Sequence, residues 1–131
     1  MGDEPLPNKR ECTTHRAKVG PVKLYVTVGF YDDGRVGELF LALEKTGSER
    51  RWLMDETARL ASKLLQHGMP VEELGEMWLG TKSELGGPVQ GDDRIKNCTS
   101  LLDYVARHLL VHYCDREDLA HVKKNVMGGT E

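Results

Sequence analysis

The sequence of 131 residues has few of the features that mark membrane, secreted or nucleic-acid-binding proteins. It contains no apolar run near the ~18 residues of a membrane span, and its start, MGDEPLPNKRE, lacks the apolar stretch of a signal peptide. Its three cysteines are an odd number and lie far apart, which argues against a disulfide framework. The net charge of −3 argues against binding of nucleic acid by bulk charge. We therefore expect a cytoplasmic protein.

What the sequence does contain is typical of one small folded domain. Hydrophobic residues make up 39% of the chain and charged residues 30%, which allows one modest core. Residues 1–11 hold two prolines and many charges, which favours a mobile N-terminal arm. We expect the domain to span residues 12–114, followed by a C-terminal helix and tail over residues 115–131.

A β-hairpin is the clearest local prediction. Two runs of alternating apolar residues, Leu24 to Phe30 and Leu39 to Leu43, indicate strands with one buried face. Between them, Asp32-Asp33-Gly34 favours a tight turn, because glycine adopts positive φ and aspartate bonds to nearby backbone. With a further strand over residues 12–19, the pattern predicts an antiparallel sheet of about three strands, and helices on one face complete an α+β fold.

Helical spacing predicts three helices and a shorter fourth. Residues 49–66 carry an apolar stripe at helical spacing, made of Leu53, Met54, Ala58, Leu60, Ala61, Leu64 and Leu65. A second helix is predicted over residues 70–79, a third from about Leu101 past Leu110, and a short one from Asp115 to about Lys124.

The glycine-rich segment 80–92 is predicted to be a long irregular loop that faces a ligand. Backbone N–H groups of such loops can cradle anions, although the spacing here differs from that of a phosphate-binding loop. Five residues are the candidates for a small-molecule or nucleotide site: Glu38, Arg51, Lys82, Gly86 and Gly87. For Glu38, pairing with a cation such as Arg51 competes with a simple solvent-facing position.

Basic residues on the first predicted helix form a candidate nucleic-acid surface. They are Arg50, Arg51, Arg59 and Lys63. Acidic residues are interleaved with them, so a mixed, solvated face is the alternative. Two tryptophans, Trp52 and Trp78, are expected to anchor the core or an interface.

Histidines and cysteines near both ends of the domain are candidate metal ligands: Cys12, His15, His108, His112 and Cys114. His108 and His112 lie four residues apart on the predicted third helix, so both can reach one zinc ion. The alternative is that they are ordinary, partly buried polar residues flanking an apolar helix. On the same helix, Asp103 and Arg107 are spaced for an exposed ion pair.

A series of short motifs in a fixed order resembles a known family. The motifs are Thr14-His15-Arg16, Tyr25-Val26-Thr27-Val28-Gly29, Asp33-Gly34-Arg35, Gly37-Glu38-Leu39-Phe40, Lys45, Gly47-Ser48, Gln66-His67-Gly68-Met69-Pro70-Val71-Glu72 and Ser100-Leu101-Leu102-Asp103-Tyr104-Val105-Ala106-Arg107. Their order and spacing resemble the TSCPD-type C-terminal accessory domain of adenosylcobalamin-dependent (class II) ribonucleotide reductases, which also occurs as small free-standing proteins in bacteria and phages. The resemblance covers roughly residues 14–110.

The resemblance implies a binding or regulatory role in nucleotide metabolism. The radical chemistry of those reductases belongs to a catalytic barrel outside this match, so we expect no catalytic residues and no cofactor here. The expected partner is a protein or a nucleotide, with a homodimer as the expected assembly. Two alternatives stay open: a nucleic-acid-binding protein that uses the basic helix face, and a small metal-dependent enzyme built on His108 and His112. Zinc is the metal considered, although the cysteine-containing motif that names the family is missing here.

Overall fold

A computed structural model describes residues 3–124 of the chain as a curled antiparallel sheet with helices packed against it. The strand order is β3-β2-β1-β4-β5. The strands are β1 Cys12–Val19, β2 Val22–Phe30, β3 Val36–Glu44, β4 Gly87–Gln90 and β5 Asn97–Cys98, and the helices are α1 Ser48–Gln66, α2 Val71–Trp78 and α3 Leu101–Tyr113. The predicted α+β class is confirmed, with five strands instead of three.

The predicted hairpin is present and forms one side of the sheet, with β3 as the edge strand. Strand β2 pairs antiparallel with both β1 and β3, and the register shifts by a bulge between Gly29 and Phe30. At the turn between β2 and β3, Gly34 has a φ of 92° and its N–H donates to the carbonyl of Tyr31. This left-handed conformation explains the glycine at that position. The inward residues of β2 are buried and the outward ones half-buried, so the core lies on one face of the sheet.

Helix α1 buries a narrower stripe than the sequence predicts. Its core side consists of Met54, Ala58, Ala61 and Leu65. The three remaining residues of the predicted stripe, Leu53, Leu60 and Leu64, are exposed, as is Trp52. Because α1 packs mainly against β3 at the edge of the sheet, only one side of the helix meets the core. Trp78 on α2 is packed against the core.

The segment predicted as an irregular loop, residues 80–92, contains strand β4. This strand pairs with the end of β1, with Val19 opposite Val89 and Lys18 opposite Gln90. The loop prediction was wrong over this stretch because the pairing is long-range. A strand of four residues that includes glycine and proline has no local signal of its own.

The predicted C-terminal helix is wrong over the residues that the structure describes. After α3, a single 3₁₀ turn covers Glu117–Leu119, and the chain then continues without helix to residue 124. The N–H groups of His121 and Val122 donate to the carbonyl of Arg94, so this segment is held by the loop before β5. The predicted helix end at Gly128-Gly129 lies outside the described residues.

Residues 3–11 form no regular element but make specific contacts with the domain. The N–H of Glu4 donates to the carbonyl of Gln66, and the Tyr31 hydroxyl donates to the carbonyl of Glu4. Arg10 donates from Nε and Nη2 to the two carboxylate oxygens of Glu38, at 2.6 and 3.1 Å. None of the helices described over residues 3–124 is long and apolar enough to cross a membrane.

Candidate functional site

Three histidines and one aspartate meet where β1, β4 and α3 converge. His15 lies on the core-facing side of β1, in line with Ala17. His108 and His112 are one turn apart on α3, and their ring centroids are 4.6 Å apart. The ring centroids of His15 and His108 are 4.9 Å apart. Asp92 completes the group, which we call the Asp92 cluster.

Asp92 reaches the cluster because β4 pairs with β1. Directly after β4 the chain turns at Gly91, whose φ is 92° and whose Cα faces the β1 backbone so closely that an added Cβ would lie 2.9 Å from the carbonyl oxygen of Arg16. Only glycine fits this close, left-handed turn. The next residue, Asp92, therefore lies beside His15 on β1.

The Asp92 carboxylate is buried and accepts bonds on both oxygens. Its Oδ1 accepts from the backbone N–H groups of Arg94 and Ile95, at 3.0 and 3.1 Å. Its Oδ2 accepts from the Tyr104 hydroxyl at 2.7 Å. Tyr104 precedes His108 by one turn of α3, so the helix aims a line of three polar side chains at one carboxylate.

The histidines face the same carboxylate at longer distances. His108 Nδ1 lies 3.3 Å from Oδ2, and His112 Nε2 lies 3.3 Å from Oδ1. His15 Nε2 lies 3.9 Å from Oδ2 and 2.8 Å from the carbonyl oxygen of Gly91. Both histidines of α3 thus face the Asp92 carboxylate, with His15 beside them, and the prediction that His108 and His112 share one zinc ion stays a prediction.

The charge state of the cluster follows from its burial. Burial alone would raise the pKa of the Asp92 carboxyl, but the hydrogen bonds it accepts, first those from His108 and His112, hold this pKa well below its usual range. Burial lowers the pKa of His108, against the opposing pull of the carboxylate. The cluster at neutral pH is therefore one carboxylate beside a neutral His108 imidazole.

One nitrogen of His108 is buried without a partner. A neutral imidazole carries one proton, and the nitrogen that faces the Asp92 carboxylate must hold it. The other nitrogen, Nε2, then presents a lone pair, and it has no hydrogen-bond partner although the residue is only 2% exposed. Such a group costs free energy unless something binds it.

The two predicted cysteine ligands do not join the cluster. Cys12 is exposed at the start of β1. Cys114 follows α3 and lines a separate cleft of about 430 Å³ with Tyr31 and Met69, and burial raises the pKa of its thiol to about 11. Within residues 3–124, the groups spaced to share a metal ion are His15, Asp92 and His108, and Asp92, Asp93 and His112. Asp92 was missed because only the β4 pairing brings it there.

The five predicted ligand-binding residues lie in different parts of the fold. Glu38 on β3 is buried and pairs with a cation, as predicted, but this cation is Arg10 and not Arg51, and the solvent-facing alternative is wrong. Gly87 begins β4, and strands β1 and β2 separate it from β3. Gly86 lies against the backbone of Thr99, and Lys82 lines a groove of about 420 Å³. Arg51 is exposed on α1.

The predicted basic surface on α1 is partly neutralised. Arg59 pairs with Glu56 at 2.9 Å, and Arg50 lies 3.4 Å from Glu84. Arg51 and Lys63 are exposed. This arrangement matches the alternative of a mixed, solvated helix face.

A second polar centre fixes the start of α3. The Ser100 hydroxyl caps the helix by accepting the N–H of Asp103 at 2.8 Å. The Asp103 carboxylate accepts the N–H groups of Gly80 and Thr99 and the guanidinium of Arg107, at 2.7, 2.9 and 3.0 Å. The predicted pair of Asp103 and Arg107 is thus present, but Asp103 is fully buried instead of exposed.

With the fold and these two centres established, comparison with known proteins defines the class. The structure is that of a small α+β domain, and the TSCPD domain family model matches residues 4–113. The chain therefore belongs to the TSCPD domain family. Residues 99–103, which read TSLLD, contain the capping serine and the buried aspartate just described, with leucines where the family's name has cysteine and proline.

The chain is similar to a segment of much longer enzymes. It is 46% identical over 127 residues to the vitamin B12-dependent ribonucleotide reductase of Agrobacterium fabrum, covering 97% of this chain and 10% of that protein. It is 45% identical over 119 residues to the reductase of the same name from Bradyrhizobium diazoefficiens, covering 91% of this chain and 10% of that protein. The protein of that name from Rhodopirellula baltica is 33% identical over 115 residues. The chain thus spans about a tenth of these relatives' length. No solved structure matches it.

Proposed function

We propose that this chain is a non-catalytic accessory module of a vitamin B12-dependent ribonucleotide reductase and that it acts through a protein partner, the remainder of such an enzyme. The observation that carries the proposal is the high identity to 10% of the Agrobacterium fabrum reductase, over 97% of this chain. A domain that is part of a longer enzyme has the rest of that enzyme as its natural partner, through an interface between domains.

The exposed side of α1 supports binding to a protein. Leu60 is 68% exposed, and Leu53 and Leu64 are exposed as well. The spacings of seven residues from Leu53 to Leu60 and four from Leu60 to Leu64 place all three on the same flank of the helix. Phe40 on β3 is also exposed and lines one groove with Leu60. Exposed apolar side chains grouped in this way favour a contact surface. We call this set the α1 apolar face.

A catalytic domain of a reductase is the occupant that we propose for this face. In the relatives, about nine-tenths of the length lies outside the matched segment. The matched segment of each relative is therefore covalently linked to a large protein that can cover this face. The alternative occupant is a second copy of this chain, because the expected homodimer remains a prediction. Sedimentation of the purified chain over a range of concentrations separates these two occupants.

A reconstitution experiment tests the proposal. The matching segment of the Agrobacterium fabrum reductase is replaced by this chain, and the rate of ribonucleotide reduction is compared with the intact enzyme and with the enzyme lacking the segment. We expect the deletion to lower the rate and the replacement to restore it. A replacement that folds, as judged by circular dichroism, and is no more active than the deletion contradicts the proposal.

A nucleotide is the second ligand class to be tested, because the expected role allows either partner. Nucleoside phosphates that bind only the folded chain must raise its melting temperature. Inorganic phosphate at the same ionic strength is the matched control. A rise with nucleoside phosphates alone would move the proposal from a protein partner to a nucleotide.

A further inference from the structure

We propose that the Asp92 cluster is a binding site for one divalent transition-metal ion of the zinc class, with His15, Asp92 and His108 as ligands. This inference is independent of the reductase partner proposed above. The donor atoms of these three residues all lie within 4.8 Å of one another. They come from β1, from the turn after β4 and from α3, so an ion at this point would link three elements of the fold.

The distances from the histidines to Asp92 are longer than those of strong charged hydrogen bonds and leave room for an ion. A charged hydrogen bond between a nitrogen donor and a carboxylate oxygen is typically about 2.7–2.9 Å long. His108 Nδ1 and His15 Nε2 lie 3.3 and 3.9 Å from Asp92 Oδ2. Two ligand atoms that each lie about 2.0–2.1 Å from one tetrahedral ion are about 3.3–3.4 Å apart. Small side-chain shifts therefore suffice to place an ion between them.

His108 can change its tautomer when the ion binds. Nδ1 faces the Asp92 carboxylate, and Nε2 is buried without a hydrogen-bond partner. An ion bound by Nδ1 and Asp92 Oδ2 moves the imidazole proton from Nδ1 to Nε2, and no hydrogen bond has to be broken at Nε2.

The cluster is already organised for a cation. Tyr104 and two backbone N–H groups hold the Asp92 carboxylate in place, so little ordering is left for the ion to impose. His112 Nε2, 3.3 Å from the other carboxylate oxygen, provides a further nitrogen beside the site.

One existing contact must be exchanged when the ion binds. His15 Nε2 lies 2.8 Å from the carbonyl oxygen of Gly91, where it donates its proton in the metal-free protein. To bind an ion through this atom, the ring shifts its proton to Nδ1 and the bond to Gly91 is replaced by a bond to the metal. His15 is partly accessible, which gives the ion a route of entry.

The chemistry of the donors defines the ion. Imidazole nitrogens with one carboxylate suit zinc, cobalt, nickel, copper or iron, whereas magnesium and calcium prefer sites made of oxygen. The burial of Asp92 and His108 favours an ion that stabilises the fold. We therefore expect a structural effect of the metal on the chain.

The test uses the full chain without a histidine tag, stripped with a chelator. Zn²⁺ is titrated against a chromophoric competitor, Co²⁺ is followed by its visible absorption, and Mg²⁺ is the negative control. We expect one zinc ion per chain, a rise in melting temperature with Zn²⁺, and no rise with Mg²⁺. A wild-type chain that binds neither Zn²⁺ nor Co²⁺ overturns the proposal.

Variants separate the site from other metal-binding groups. His15→Ala lies on the rim of the cluster, so it leaves the fold intact, and we expect at least about tenfold weaker Zn²⁺ binding. His108→Gln removes the buried ligand, and its Zn²⁺ binding is interpreted only if its circular dichroism spectrum matches that of the wild type. His67→Ala, at an exposed histidine outside the cluster, and Cys12→Ser are the matched controls. The assignment is overturned if His15→Ala binds Zn²⁺ as tightly as the wild type. It is also overturned if either control variant loses as much Zn²⁺ affinity as His15→Ala.

Discussion

At the scale of single residues, two buried aspartates organise the molecule, and sequence spacing reveals only part of their role. The four-residue spacing of Asp103 and Arg107 correctly predicts their pairing. It does not predict the bonds to Gly80 and Thr99, because these depend on how the chain folds around the start of α3. Sequence spacing does not reveal the role of Asp92, because its side-chain partners lie 77 residues before it and 12 to 20 residues after it.

Replacing Asp103 by Asn tests its structural role. The change keeps the size of the side chain but removes the charge that three donors share, and hydrogen bonds to charged groups are worth about 1.5–3 kcal/mol. We expect the free energy of unfolding, measured by urea denaturation, to fall by about that amount. Asp55→Asn, at an exposed position of α1, is the control and should change it by no more than about 0.5 kcal/mol.

The stability of the wild type and that of Asp103→Asn should depend differently on pH in the acid range. Burial alone would raise the pKa of Asp103, but the N–H groups of Thr99 and Gly80 and the guanidinium of Arg107 hold it below its usual value. A lowered pKa adds stability above the unfolded value of about 3.9, and this stability is lost as pH falls through the folded pKa. The difference in free energy of unfolding between the wild type and Asp103→Asn should therefore become smaller below about pH 4. A constant gap would show that the charge plays no part.

At the scale of secondary structure, the sequence predicts the elements whose signals are local. The hairpin around Gly34 is correct because alternation and turn residues lie within one short stretch. Helix α1 is correct in extent, but its apolar stripe does not tell which flank meets the sheet, and Leu53, Leu60 and Leu64 prove to be exposed. Strand β4 was missed because its stability comes from pairing with β1.

The contact between α2 and α3 is close enough to require glycine. A Cβ added to Gly75 would lie 2.8 Å from Cγ of the buried Leu110. Helix propensity alone would make Gly75→Ala stabilising by about 1 kcal/mol. Overpacking a core costs about 1–3 kcal/mol, which is the larger effect.

We therefore expect Gly75→Ala to lower the free energy of unfolding, as measured by chemical denaturation. Met77→Ala, at an exposed position of the same helix, is the control and should leave it within about 0.5 kcal/mol. An increase in stability of Gly75→Ala would mean that α2 and α3 are farther apart than described.

At the scale of the whole molecule, the fold class and family are accessible from sequence, whereas the sites depend on long-range pairing. The histidine spacing on α3 places His108 and His112 on one side of the helix, but only the fold brings His15 and Asp92 to them from two other elements. Cys12 and Cys114 were chosen for their chemistry alone, and the fold leaves them elsewhere. The α1 apolar face likewise becomes visible only when the packing of α1 is known.

The most direct test of the account is a binding measurement between this chain and the Agrobacterium fabrum reductase lacking its matching segment. By isothermal titration calorimetry, we expect the wild-type chain to bind and Leu60→Glu to bind at least about tenfold more weakly, because a charge would be buried in an apolar contact. Arg51→Gln, which makes the same change in net charge at an exposed position on another flank of α1, should bind like the wild type. Absence of binding by the wild type, or equal binding by Leu60→Glu, would contradict the account.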